Sequence, residues 1–200
     1  MTSGAVASDP NRARSENLRA AIGQGRLLDK YRTCLEICHG LEVAQFLPTH
    51  HDLQADANIF LLTITEALQD PKVIPIINYN DPMDSKEIEA RYADNDRLFQ
   101  RVCELVKADV AIIAFPQPGL LNVEGRPIHL FRVGEKDQQK FLIGEGNELG
   151  HGKNGMATKH VVLSELSGSV PHVYLVPGKE SYFILKAVAG QNDFGTAYVS

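Results

Sequence analysis

The feature that most constrains the fold is the run ADVAIIAF at 108–115, apolar at nearly every residue and too short for a helix of its own. A continuous apolar strand of this length is buried on both faces, the habit of a parallel sheet covered by helices. Similar short runs recur at 41–47, 72–78, 172–176 and 195–199, separated by stretches with helical spacing at about 16–39, 54–69, 96–107, 156–167 and 180–189. Strand and helix in alternation predict an α/β domain with a largely parallel sheet. Pro75 weakens the second run without abolishing it. Gly23 and Gly25 are expected to bend or divide the first helix, and Gly40 to stop it.

Length and composition narrow the function classes. Two hundred residues with 44% hydrophobic and 22% charged side chains suit one globular domain with a core. The net charge of −5 gives no basic footprint for nucleic acid. Val110 to Phe115 is the longest strongly apolar run, far short of a membrane span, and the opening MTSGAVASDPNRAR lacks a secretory apolar core. A cytoplasmic protein with reduced thiols is the expectation. Cys34 and Cys38 share a helix face beside His39, yet no second ligand pair at matching spacing completes a zinc site, so no metal site is assigned and the cysteines are expected to be buried. His50-His51-Asp52 is ligand-like in composition but reads as a solvated turn.

In α/β folds ligands gather beyond the carboxyl ends of strands, so the residues after each strand carry most information. Asn78-Tyr79-Asn80-Asp81-Pro82 follows the second run, and its composition suits a turn as well as a site. Asp94-Asn95-Asp96 precedes a helix. One such side chain caps a helix, and three leave two to explain. Gly150, Gly152 and Gly155 lead into another helix, a loop able to cradle phosphate on backbone N–H groups. Lys159 falls in that helix's first turn, the wrong end for a cation unless an anion is near, and Lys153 adds a second charge. Together these features point to a polyphosphate ligand.

These stretches, taken in order, resemble the amino acid kinase family, in its branch acting on a glutamate side chain. TSGAVA (2–7), AAIGQGRLLDKY (20–31), VIPIINYNDP (73–82), DNDRL (94–98), PGL (118–120), GKNGMATK (152–159) and GTAYV (195–199) carry the likeness through nearly the whole chain. The resemblance implies a three-layer α/β/α sandwich with a mostly parallel sheet, N-terminally truncated, as a single domain over 1–200. It implies ATP and Mg²⁺ as reactants, glutamate as acceptor, glutamyl 5-phosphate as product, and a homo-oligomer without nucleic-acid or membrane partners. Ser3, Asp81 and Asn95 would hold the amino acid. Asp96 would orient phosphate-binding lysines, the segment Lys153, Asn154, Gly155, Met156, Ala157, Thr158 and Lys159 would wrap ATP, and Lys159 would neutralise the transferring phosphoryl group.

Three departures stand out. The family's opening strand, lysine and Gly/Ser loop have no counterpart in these residues, which is expected to leave a sheet edge or core face uncovered. Phe115-Pro116 stands where the family has a Thr-Asp pair contacting the nucleotide, and Lys153-Asn154 where it has Thr-Gly. These 200 residues show no counterpart of the family's optional C-terminal RNA-binding-like domain, so no nucleic-acid role is expected. The alternatives to a glutamate kinase are a non-catalytic regulatory relative and a kinase for another small acid.

Overall fold

A computed structural model of the chain describes residues 16–49, 52–53, 59–80, 95–122, 124–135, 155–191 and 193–200. The chain divides into two compact units, Met1–Glu89 and Ala90–Ser200. Parallel and mixed sheets with helices between strands make it an α/β protein.

In the first unit α1 spans Glu16–Arg32 and continues into a π-helical turn, Thr33–Ile37. It runs through Gly23 and Gly25 unbroken, with open space around both, so the expected division of the helix does not occur. Gly40 takes φ +65° and its N–H reaches the Glu36 carbonyl at 2.9 Å, the left-handed stop anticipated from the sequence. β1 (Glu42–Phe46) and β2 (Val73–Ile77) form a two-stranded parallel sheet, joined through α2 (Ile59–Gln69). Pro75 lies opposite Ala44. Each strand of a two-stranded sheet is an edge, so a missing N–H there is tolerated.

The second unit is built on a four-stranded sheet. Its elements are α3 (Asn95–Val106), β3 (Val110–Phe115), β4 (Leu120–Leu121), β5 (Pro127–Ile128), β6 (Leu130–Arg132), α4 (Met156–Leu166), β7 (His172–Pro177), α5 (Phe183–Val188) and β8 (Thr196–Val199). The sheet order is β3-β7-β8-β6. β3 pairs with β7 and β6 with β8 in parallel, whereas β7 and β8 are antiparallel, so this sheet is mixed. Cys103, Ala111, Leu120, Phe131, Val162, Leu163, Leu166, Val170, Val173, Leu175 and Tyr198 close the core.

β4 and β5 form a small antiparallel ladder that Thr196 fastens to β8. The buried Thr196 hydroxyl accepts from the Leu120 N–H at 2.8 Å and donates to the Ile128 carbonyl at 2.6 Å. Its neighbour Gly195 has φ +67°, and a Cβ there would collide with the Leu175 carbonyl oxygen and lie 3.0 Å from Val176 Cγ1. Only glycine meets both demands.

The cysteines divide differently from expectation. Cys103 is buried as anticipated, but Cys34 and Cys38 are exposed. Leu28 is buried on α1, and in the π turn Leu35 is half-buried, so the covered face passes through these two leucines and not through Cys34. Asp52 is helical where a solvated turn was expected, and its carboxylate reaches back to accept from the Thr49 N–H at 2.7 Å and the Thr49 hydroxyl at 2.6 Å. His50 and His51 lie outside the described residues. No described helix is long and apolar enough to cross a membrane.

Candidate functional site

Asp96 and Lys159 meet in the second unit. Asp96 sits in the first turn of α3 and Lys159 in the first turn of α4. The Lys159 ammonium donates to Asp96 Oδ2 at 2.9 Å, and the two side chains are 17% and 12% exposed. A carboxylate at a helix N-terminus is favoured by the macrodipole, and an ammonium is not. Asp96 therefore supplies the anion that Lys159 requires, in surroundings where water screens the pair less than at the surface. Of the three polar side chains 94–96, Asp96 is turned to Lys159. Asn95 is exposed, and Asp94 lies outside the described residues.

The elements that hold this pair are themselves tied together. Arg97 and Gln100 on α3 both reach Glu165 on α4, Gln100 at 2.9 Å. Partial burial works against the Glu165 charge, but hydrogen bonds from Arg97 and Gln100 and the Arg97 charge outweigh it, so its carboxyl titrates below the usual range. The N-cap of α4 is Gly155, which has no side-chain acceptor to offer the first-turn N–H groups. Such groups are donors for an anion.

The carboxyl ends of β3 and β7 lie side by side, Phe115 opposite Pro177, with the Gly178 N–H on the Phe115 carbonyl at 2.8 Å. The Lys159 ammonium lies 5.5 Å from the centroid of the Phe115 ring. The cation thus sits at the strand-end location that α/β folds use for ligands. Phe115 as a neighbour of Lys159 is the feature that sequence reasoning missed. Its only signal was an aromatic ending a strand at a place where the family carries polar residues.

Behind Lys159 is an aromatic group. His160 packs edge-on against Phe131, ring centroids 4.9 Å apart, and its Nδ1 lies 3.2 Å from the Tyr198 hydroxyl. Burial pushes the His160 imidazole below its ordinary pKa and the Tyr198 phenol well above its own. Burial, reinforced by the charge of Glu104, pushes the Cys103 thiol up to about 11, which makes it an inert core residue.

Among the described residues no group of three His, Cys, Asp or Glu side chains could hold a metal ion. Of the remaining candidates, Gly155, Met156, Ala157 and Thr158 lead into or form the first turn of α4 with Lys159. Ser3, Asp81, Lys153 and Asn154 lie outside the described residues. In the first unit, the segment after β2 is anchored by Asn78 N–H on the Phe46 carbonyl at 3.1 Å and Asn80 N–H on the Pro48 carbonyl at 3.2 Å.

No protein-family model matches the chain. Curated relatives do. The glutamate 5-kinase of Nitrosospira multiformis is 35% identical over 179 residues, 86% of this chain and 47% of the relative. That of Methylobacillus flagellatus is 36% identical over 180 residues, again 86% of this chain and 47% of the relative. That of Trichlorobacter lovleyi is 33% identical over 217 residues, 100% of this chain and 56% of the relative. The chain spans about half the length of the curated relatives it matches. Most or all of its own length is thus similar in sequence to glutamate 5-kinases.

Proposed function

We propose that the chain carries phosphotransfer machinery of the glutamate 5-kinase type, moving the γ-phosphoryl group of ATP to the side-chain carboxylate of glutamate at the start of proline synthesis. On this reading it is one amino acid kinase-like domain with a three-layer α/β/α form, acting in the cytoplasm as a homo-oligomer. The observation that carries the proposal is the ion pair of Lys159 and Asp96 across two helix N-termini. Phosphoryl transfer asks little covalent help of a protein and depends on positioning and charge stabilisation.

Within this scheme Lys159 neutralises charge on the transferring group, and Asp96 fixes where the ammonium sits. Residues 153–159 are assigned to the ATP phosphates, and Ser3, Asp81 and Asn95 to the amino acid. The described donors, an ammonium and the N–H groups of a glycine-capped helix, suit phosphate oxygens. Magnesium, which usually keeps few protein ligands, would be held largely through the phosphates. When bound it would screen the phosphate charge from the acceptor carboxylate.

Isothermal titration with Mg-ATP and with glutamate tests the proposal; folded protein that gives heat with neither ligand rejects it. In a turnover assay, Lys159→Met is expected to lower the rate by ~10²–10³, the usual effect of removing one preorganised donor. Phe115 favours a second reading, a non-catalytic relative, because a ring without hydrogen-bonding groups stands beside the lysine. Glutamate-dependent ATP consumption by the purified chain would eliminate that reading.

A further inference from the structure

We propose that Phe115 is a positioning residue for Lys159. Its ring face holds the ammonium beside Asp96 before any ligand arrives. An ammonium has three N–H donors, and one of them is satisfied by Asp96 Oδ2 at 2.9 Å. The face of an aromatic ring carries negative potential and attracts a cation within about 6 Å of the centroid; here the separation is 5.5 Å. Lys159 is only 17% exposed along its side chain, so both contacts act where water competes weakly.

A flexible four-carbon stem ordinarily loses much freedom when it binds an anion. Between a carboxylate on α3 and a ring at the end of β3, that freedom is reduced in advance, and the donors not turned to Asp96 are left for an incoming ligand. The use of this arrangement in phosphoryl transfer rests on the function proposed above. The ring contact itself does not.

Phe115 also packs partly buried against the core of the second unit, so a purely structural role predicts a different outcome from a positioning role. Any apolar residue of similar size can fill the space, whereas only a ring can act on the cation. Lysine carrying ¹³C at the ε-carbon gives one cross-peak for each lysine, and Lys159→Arg identifies the peak of interest. We expect that peak upfield of the exposed lysines because of the ring current. It should move toward them in Phe115→Leu and stay in place in Phe115→Tyr.

Competitive acetylation read by mass spectrometry should label Lys159 about two- to five-fold more in Phe115→Leu, the fold-change that corresponds to one cation–π contact, and no more than wild type in Phe115→Tyr. A cross-peak and a reactivity that both ignore Phe115→Leu overturn the proposal. If Phe115→Leu loses its fold by circular dichroism, Phe115→Met keeps comparable volume without a ring and is judged by the same two measurements. Adding Mg-ATP to wild type separates the two proposals. A Lys159 peak that answers Phe115→Leu but not Mg-ATP retains the positioning role and rejects phosphotransfer. The reverse pattern rejects the positioning role alone.

Discussion

The two units use the same alternation of strands and helices with different results. In residues 90–200, Ala111, Val162, Leu163, Leu166, Leu175 and Val176 are fully shielded. In residues 1–89, α2 leaves Ile59 81%, Leu62 70% and Leu68 53% exposed while burying Ile64. Exposed apolar side chains also occur on α5 of the second unit, so the contrast lies in the sheet-facing core, where strand number and order differ. β7 is hydrogen-bonded on both sides, by β3 and β8, and helices contact it. Among the described residues β1 and β2 are hydrogen-bonded to each other alone, with α1 packed on β1 and α2 on β2. A parallel sheet is normally covered on both faces. β2 stays half-buried at every residue.

The comparison is broken most directly by truncating one apolar side chain in each unit. Phe131 is 1% exposed and packs on His160 and Tyr198. Phe131→Ala should cost about 3–5 kcal/mol in urea unfolding, and Leu62→Ala should change stability by no more than about 0.5 kcal/mol. Comparable losses would mean that α2 buries its outer face in solution.

Two glycines sharpen the comparison with backbone held constant. Gly40 in the first unit and Gly195 in the second have φ values of +65° and +67°. The left-handed backbone alone costs an alanine about 1–2 kcal/mol, and that is all Gly40→Ala should lose, since nothing lies within 4 Å of its would-be Cβ. Gly195→Ala adds a collision with the Leu175 carbonyl and should lose about 3 kcal/mol, with faster amide exchange in β7 and β8. Equal losses would show that close approach at Gly195 is not what seats β8.

The units also differed in how far they could be read in advance. Long apolar runs and helical spacing placed β1, β2, β3, β7 and β8 to within a residue or two, because each run fills a strand and ends at turn residues. β4, β5 and β6 were not visible. Strands of two or three residues show no period, and Pro118, Gly119 and Pro127 punctuate them. β6 acquires its identity from a partner far along the chain, Leu130 opposite Ala197. The antiparallel step from β7 to β8 was hidden for the same reason.

Lys159 stood out in the sequence as an electrostatic misfit at a helix N-terminus and pointed to a phosphate ligand, whereas Asp96 as its orienting partner was only what the family resemblance implied; the described anion beside Lys159 is Asp96. Phe115 did not stand out, since an aromatic at a strand end is ordinarily core. Cys34 and Cys38 were misread as buried because helical spacing shows which residues share a face but not which face is covered.

The smallest expected effect lies on the acid side of the second unit. Burial lowers the pKa of His160 in the folded protein, so the unfolded chain takes up the proton first as pH falls below the ordinary value of 6.5. Stability attributable to His160 is therefore unchanged above that pH, declines as pH drops below it, and levels off once the folded imidazole is itself protonated. Because the ring is only partly shielded, the loss should be small. Glu165 acts in a separate window. Its folded carboxyl titrates below 4.5, so its contribution persists at pH 5.5 and fades only in stronger acid. Urea midpoints at pH 7 and 5.5 separate the histidine window from that of Glu165. His160→Gln keeps a group able to hydrogen-bond Tyr198 and does not titrate, so it should flatten the decline between those two values. Were the decline unchanged in His160→Gln, the acid sensitivity of the second unit would belong to another group, and the buried aromatic cluster behind Lys159 would lose its place as the acid-sensitive part of this unit.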